Sequence, residues 1–302
     1  MNINFLAGQS VTDLYALLQQ DNWGLGAAEG LAHYNGQTWR WVGRIDSGSD
    51  FVADVQRYEE AILLLTACGQ VHCYTPGSGL RVGDDIFVAD LIEATSDLLD
   101  VSIQAGRVHP DGRLTLVGSR GAVFHRTDGW SKVPTGAQND LYCITDGRPH
   151  AHVAGTDVAM SFDGKRCLHR VIVSGTTILA ADELPDGRWV GGAVRSRDGL
   201  LIYFSPDNEV LDELPLGPPV QSVLVVDDSI LVTLSGRGVH RWDGQRLIPS
   251  LTPDMSPGRL YQFDNQVVVG GGTGGPNSLF VLAGDRWDEI PIDLDMKYLD
   301  RK

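Results

Sequence analysis

The chain has 302 residues, 42% hydrophobic and 21% charged, with 24 basic against 39 acidic side chains and a net charge of −15. That length buries a core easily, and 36 Gly with 14 Pro make the chain turn-rich. The acidic balance argues against nucleic acid and membrane as partners, and no stretch reaches the ~20 apolar residues of a membrane helix.

In chain order, the start MNINFLAGQSVTD lacks a basic segment, so no signal peptide is expected and a cytoplasmic location is. The four cysteines (Cys68, Cys73, Cys143, Cys167) are then expected as reduced thiols. One pattern recurs: a Gly, a short alternating strand, an Asp/Asn-Gly turn and a further strand. It reads GLAHYNGQTWRWV from Gly30, GAVFHRTDGWSKV from Gly121, DVAMSFDGKRCLHRV from Asp157 and GVHRWDGQRLIPS from Gly238. Looser copies begin at Gly69, Gly199 and Asn277. From Gly36 to Gly244 the spacing averages about 42 residues per unit, which leaves room for seven units.

The half-unit before each motif also repeats, as in VHPDGRLTLVGS from Val108 and LPDGRWVGGAV from Leu184. Asp-Gly and Asn-Gly suit two-residue hairpins, where both central residues need positive φ. Each unit thus reads as four antiparallel strands with period-two alternation. Four strands in about 42 residues predict a propeller blade. The expected fold is all-β, a seven-bladed β-propeller of four-stranded antiparallel blades forming one domain over 1–302. The segment 3–7 is expected to pair with the last blade and close the ring.

In the first unit, Trp23-Gly-Leu-Gly is followed by Gly30-Leu-Ala-His-Tyr-Asn-Gly and by Trp39. This wording resembles the two-component-regulator propeller repeat, with its Trp-started strand, Gly-Leu pair, aromatic residue and turn glycine. The resemblance implies a propeller, and in that family the propeller commonly acts as a sensing ectodomain ahead of a kinase. No Trp-Asp dipeptide closes the units in WD40 manner.

About ten surplus residues separate the turns at Gly77 and Gly129. They fall at 84–100, an acidic insertion holding Asp84, Asp85, Asp90 and Glu93, which is a candidate contact loop on a solvated surface. Blade geometry sends first and third turns to one face, where Asp111, Asp163, Asp186 and Asp243 gather, as Asp commonly does in turns. Arg120, Arg195, Arg197 and Arg237 lie on second turns at the opposite face and form a candidate contact ring for an anionic or polar partner.

Catalytic templates fail on context. Gly270-Gly-Gly-Thr-Gly-Gly275 has dinucleotide spacing but is followed by a strand pattern rather than a helix, so it reads as a blade turn. No serine elbow, metalloprotease helix or Walker loop is present, and no carboxylate pair stands out for glycosidase work. His150 and His152 share a strand face, and a turn at Asp146-Gly147 would set Cys143 opposite His150, a candidate zinc site still lacking a fourth ligand. The seven Trp recur at equivalent places and are expected to pack between blades.

The function expected is a non-catalytic, monomeric binding protein that presents loops to a protein partner, without cofactor. A narrower version is a bacterial immunity or inhibitor protein against a toxin. The alternatives are a channel-mouth enzyme, either a lyase or a glycoside hydrolase, and a small-ligand sensor.

Overall fold

The computed structural model describes residues 2–20, 28–45, 51–67, 69, 71–81, 101–109, 111–126, 130–145, 150–251, 257–271 and 278–295. Within these, the chain is all-β apart from one 3-10 turn at Ser119–Gly121. The first sheet runs β1 (Asn2–Ser10), β2 (Asp13–Gln20), β3 (Ala28–Tyr34), β4 (Trp39–Ile45), and the second β5 (Val52–Tyr58), β6 (Ala61–Thr66), β7 (Val71–Thr75), β8 (Gly79–Arg81). The third holds β9 (Ile103–Val108), β10 (Leu114–Gly118), β11 (Val123–Arg126), β12 (Trp130–Lys132). A six-stranded sheet follows: β13 (Leu141–Ile144), β14 (Ala151–Phe162), β15 (Cys167–Glu183), β16 (Trp189–Arg195), β17 (Asp198–Phe204), β18 (Val210–Gly217). The last two sheets are β19 (Val220–Val226), β20 (Ser229–Leu234), β21 (Gly238–Trp242), β22 (Leu247–Leu251), and β23 (Pro257–Phe263), β24 (Gln266–Gly271), β25 (Ser278–Ala283), β26 (Arg286–Pro291). Every sheet is antiparallel, with sequence neighbours paired.

The described chain therefore forms six hydrogen-bonded sheets, which corrects the expectation of seven separate blades. The units beginning at Asp157 and Gly199 share one sheet because β15 runs through 17 residues without a break. Its first part pairs with β14 (Val158↔Ile172) and its second with β16 (Ala181↔Gly191). Burial along β14 changes phase inside the strand. Ala151 and Val153 face the same apolar cluster as Val158, Met160 and Phe162, so the alternation reverses near Asp157, whose φ is +59°. One continuous ladder thus carries two units of sequence repeat.

Apolar clusters lie between neighbouring sheets, as expected when large side chains fill the wedge between twisted sheets. Leu63, Leu65 and Val71 pack on Ile103, Leu116 and Phe124, while Val190 and Leu201 pack on Val223 and Val232. A further cluster sits inside the six-stranded sheet, where Cys143, Ala154 and Ala159 meet Ile178, Trp189 and Ala193. The ring closes by this kind of packing. Leu6, Leu14 and Leu18 of the first sheet meet Val268 and Leu279 of the last. The segment 3–7 belongs to β1 and pairs with β2, so the expectation that it adds a strand to the last sheet is corrected.

The turns also differ from the two-residue hairpins expected. Asp-Gly and Asn-Gly sit in longer loops: Phe162 pairs with Cys167, Trp242 with Leu247, and Tyr34 with Trp39. In each loop the first side chain accepts backbone N–H groups ahead of it. Asp163 takes those of Lys165 and Arg166 (2.9 and 3.0 Å), Asp243 takes Gln245 and Arg246 (2.9 Å each), and Asn35 takes Gln37 and Thr38 (3.1 and 2.9 Å). The following Gly alone goes left-handed, at φ +88° for Gly164 and +91° for Gly244. Of the true two-residue turns, one is led by Gly284 at φ +64°, while Glu59, Asp227 and Asp264 lead others at φ +51° to +52°.

Gly199 tests this packing directly. A Cβ there would strike the Pro218 carbonyl oxygen, a backbone atom that cannot swing aside. Gly199→Ala is expected to cost about 1–3 kcal/mol in urea unfolding, the range for overpacking plus backbone shift. Gly217→Ala, at φ +87° but in open space, should cost only roughly 1–2 kcal/mol of backbone strain.

Candidate functional site

A cavity of about 660 Å³ occupies the propeller axis. Its wall is made of segments 6–8, 54–57, 105–108, 142–145, 179–183, 221–225 and 259–264, so β13 and β15 of the six-stranded sheet each contribute one. These are the strands that begin the repeat units, and their outer neighbours cover only one of their two edges. The other edge faces the axis with N–H and C=O groups to satisfy.

Side chains of the wall take up part of that demand. Asp54 Oδ2 accepts the Gly106 N–H at 2.9 Å, and Oδ1 accepts the Val55 N–H at 2.8 Å. Asp182 repeats the device: Oδ2 accepts the Val225 N–H at 2.7 Å and Oδ1 the Glu183 N–H at 2.9 Å. Ser222 Oγ accepts the Leu260 N–H at 3.0 Å. The bonds to Gly106, Val225 and Leu260 each join one axial strand to the next.

Asp54 is 3% exposed, and burial raises its pKa against the opposing pull of Arg259 and the two amides. Arg259 Nη1 stands 3.6 Å from Asp54 Oδ1, and its guanidinium lies 5.0 Å over the Phe5 ring. Arg57, also in the wall, donates to Asp13 Oδ2 at 2.9 Å and to the Glu59 carbonyl at 3.1 Å. His33 completes that group at 2.8 Å from Asp13 Oδ1, stacked on Tyr15 with ring centroids 4.4 Å apart.

The residues expected to form sites are distributed as follows. Arg120, Arg195, Arg197 and Arg237 lie at second turns, at the end of the molecule where the axial strands begin. Arg195 is held within its sheet: its guanidinium grips both carboxylate oxygens of Glu213 (2.6 and 2.8 Å) and donates through Nε to Thr176 Oγ1 (2.7 Å). Arg120 (φ +56°) anchors its backbone N–H on Asp140 Oδ1 at 3.1 Å, and Arg197 takes φ +89° in a tight turn. Asp84, Asp85, Asp90 and Glu93 lie outside the described residues, as do Cys68 and the turn at Asp146-Gly147.

The expected zinc ligands do not converge. The register sets Cys143 opposite Ala154, not His150. Its thiol donates to the Ala154 carbonyl at 3.6 Å, and burial pushes its pKa up to about 12. His152 turns to the next unit, where Asn208 Oδ1 receives both His152 Nδ1 (3.0 Å) and Trp189 Nε1–H (3.1 Å). Asn208 Nδ2 donates to the His169 carbonyl, which fixes the amide orientation and puts the His152 proton on Nδ1. Among the described residues no three His, Cys, Asp or Glu gather as a metal site. Trp189 is fully buried between His152 and Phe204, at centroid distances of 5.2 and 3.9 Å, in keeping with the inter-blade role expected of the tryptophans.

Asp54, Asp182 and Arg259 were not singled out by sequence. Aligning the units on their first turns sets Asp54, Ser222 and Arg259 level with Leu6, Ala105 and Ala180. A charge at a position that other copies leave apolar is the readable signal.

No family model matches the chain, and no curated protein does. Solved structures do, as propellers. The WD40 β-propeller domain of Doa1 superposes with a TM-score of 0.68 at 11% identity, over 94% of this chain and 93% of that one. YCF48 bound to D1 peptide gives 0.65 at 11%, over 90% and 91%. A catalytically inactive virginiamycin B lyase from Staphylococcus aureus, with quinupristin, gives 0.62 at 10%, over 89% and 92%. Identities this low establish the β-propeller fold and nothing finer.

The buried histidines predict an acid-labile fold. Burial lowers His152 and His125 to about 4, with Arg113 and His109 adding to the effect at His125. Both rings are neutral when folded and titrate near 6.5 when unfolded, so the unfolded chain binds more protons between those values. Stability should be full above about pH 6.5 and fall as pH drops toward about 4, read as a falling melting temperature. His152→Gln should flatten part of that slope. A melting temperature level from pH 7 to 4.5 would contradict the assignment.

Proposed function

We propose that the chain is a non-catalytic binding protein that offers the second-turn face of its propeller to a protein partner. The observation that carries this reading is the state of Asp54 and Asp182, the two of the four wall carboxylates that bridge neighbouring axial strands. Asp54 and Asp182 each spend both oxygens on backbone N–H groups, so neither is disposed as a general acid or base. The wall reads as a hydrogen-bonded frame that holds a contact surface open. Arg120, Arg197 and Arg237 surround it on turns, with 84–100 as a further contact loop and Arg195 as a brace. The narrower reading, an immunity or inhibitor protein, draws on the net charge of −15, whose long-range field favours a toxin of net positive charge, with the arginine turns meeting an anionic or polar patch on it.

The test begins with a partner that co-purifies stoichiometrically, whose affinity for the full chain is then measured. Arg120→Ala, Arg197→Ala and Arg237→Ala together should weaken that affinity by roughly tenfold or more and lessen its dependence on salt. An unchanged affinity, with the melting temperature preserved, removes this face as the binding surface.

A further inference from the structure

We propose that Arg259 makes the axial cavity a receptor for a single carboxylate group, entering from the end where the axial strands begin. This rests on the reading that this face binds, and deepens it by naming the chemistry that is captured.

Arg259 lies near the start of β23 (Pro257–Phe263), inside the cavity, and its side chain is 39% exposed. Among the described residues its guanidinium makes no hydrogen bond. Its counter-ion Asp54 stands at 3.6 Å, beyond hydrogen-bonding distance, and both oxygens of that carboxylate are already engaged by the Val55 and Gly106 amides. Asp54 therefore balances the charge without consuming the fork of donors. The Phe5 ring lies beneath the guanidinium, 5.0 Å away. A planar cation seated over an aromatic ring, with several N–H groups unspent in a concave site, is suited to bidentate capture of a carboxylate.

Among the other charged residues of the wall, Arg107 has an interaction of its own. Arg57 is committed to Asp13 and the Glu59 carbonyl. Glu183 ends β15 and Asp264 follows β23, both at the far end of the axial run. Five residues of strand separate Arg259 from Asp264, about 16 Å, well past the screening length in physiological salt. Asp182 lies between, with its oxygens engaged by the Val225 and Glu183 amides. Asp54, close by, sets the ligand's charge: a monoanion meets one carboxylate across one guanidinium, whereas a dianionic phosphate would meet stronger repulsion. The cavity, at about 660 Å³, has room for a small organic acid or the last residues of a chain.

The test is calorimetric titration of the full chain with butyrate, with a Gly-Ser hexapeptide carrying a free C-terminus, with the same peptide amidated, and with inorganic phosphate. Butyrate and the free-ended peptide should bind, and the amidated peptide and phosphate should be weaker by roughly tenfold or more, the value of a charge-assisted pair. Binding of butyrate alone assigns the source to a free small acid. Binding of the peptide as well assigns it to a chain terminus. Arg259→Met, which keeps the stem over Phe5, should abolish the preference, and Arg259→Lys, a point charge without the fork, should retain only part of it. The proposal is overturned if no carboxylate binds, if phosphate matches butyrate, or if either variant binds as the natural chain does. The partner's affinity for the natural chain separates the two readings: if the partner binds while no carboxylate does, this inference falls and the binding face stands.

Discussion

Everything in this molecule depends on satisfying the inner edge of a ring of strands. A propeller sheet has an outermost strand that water can solvate and an innermost strand whose free edge lines a confined axis. Unpaired N–H groups on that edge would each cost on the order of 1–3 kcal/mol if buried without a partner. Here Asp54, Asp182 and Ser222 answer the problem with side chains that reach from one axial strand to the backbone of the next. The same bonds fix the height of neighbouring sheets relative to one another, which apolar packing alone, being non-directional, leaves loose. The axis is polar because the fold needs acceptors there, and this polarity is what makes the cavity suitable for a polar ligand.

Why part of the fold was legible in the sequence and part was not follows from the range of each signal. Period-two alternation and Gly-containing turns are local, so strands such as VHCYT and LIYF in β7 and β17 could be placed from their own residues. The boundary between units in the middle of the chain is not local. β15 continues from one unit into the next because nothing in CLHRVIVSGTTILAADE forces a break: Gly175 supplies left-handed freedom, and its N–H is held by Asp157 Oδ1 at 2.6 Å. Seven copies of a sequence pattern therefore gave six sheets. The turn chemistry was half legible for a similar reason. Asp before Gly marks a turn correctly, but whether the Asp residue goes left-handed or caps the loop with its side chain depends on loop length, and the four-residue loops choose the cap.

The candidate site was harder to see because its residues are defined across strands far apart in sequence. Arg259 and Asp54 belong to different sheets, and only closure of the ring brings them within 3.6 Å. Reading Cys143, His150 and His152 as a ligand set failed on register: a two-strand argument shifts every partner when the bulge between Leu141 and Cys143 is not foreseen. His152 then finds its partner in Asn208, a fully buried residue at φ +66° whose role as a bridge has no local signature.

The charge of the molecule divides along the same lines. Four turn aspartates on the first-and-third-turn face, Asp111, Asp163, Asp186 and Asp243, are engaged by their own loops, and amides or a neighbouring arginine hold them below the usual carboxylate range against the opposing effect of burial. Their negative charge is thus a by-product of building turns, and it costs the protein little because each carboxylate is locally bonded. On the opposite turns Arg195 is bound to Glu213 and Thr176, whereas Arg197 occupies a strained left-handed position at φ +89° that Gly or Asn would fill at lower cost. Strain tolerated at a solvent-facing turn, beside a cavity in which Arg259 keeps its donors unspent, gives that face the stronger claim to the protein's binding role.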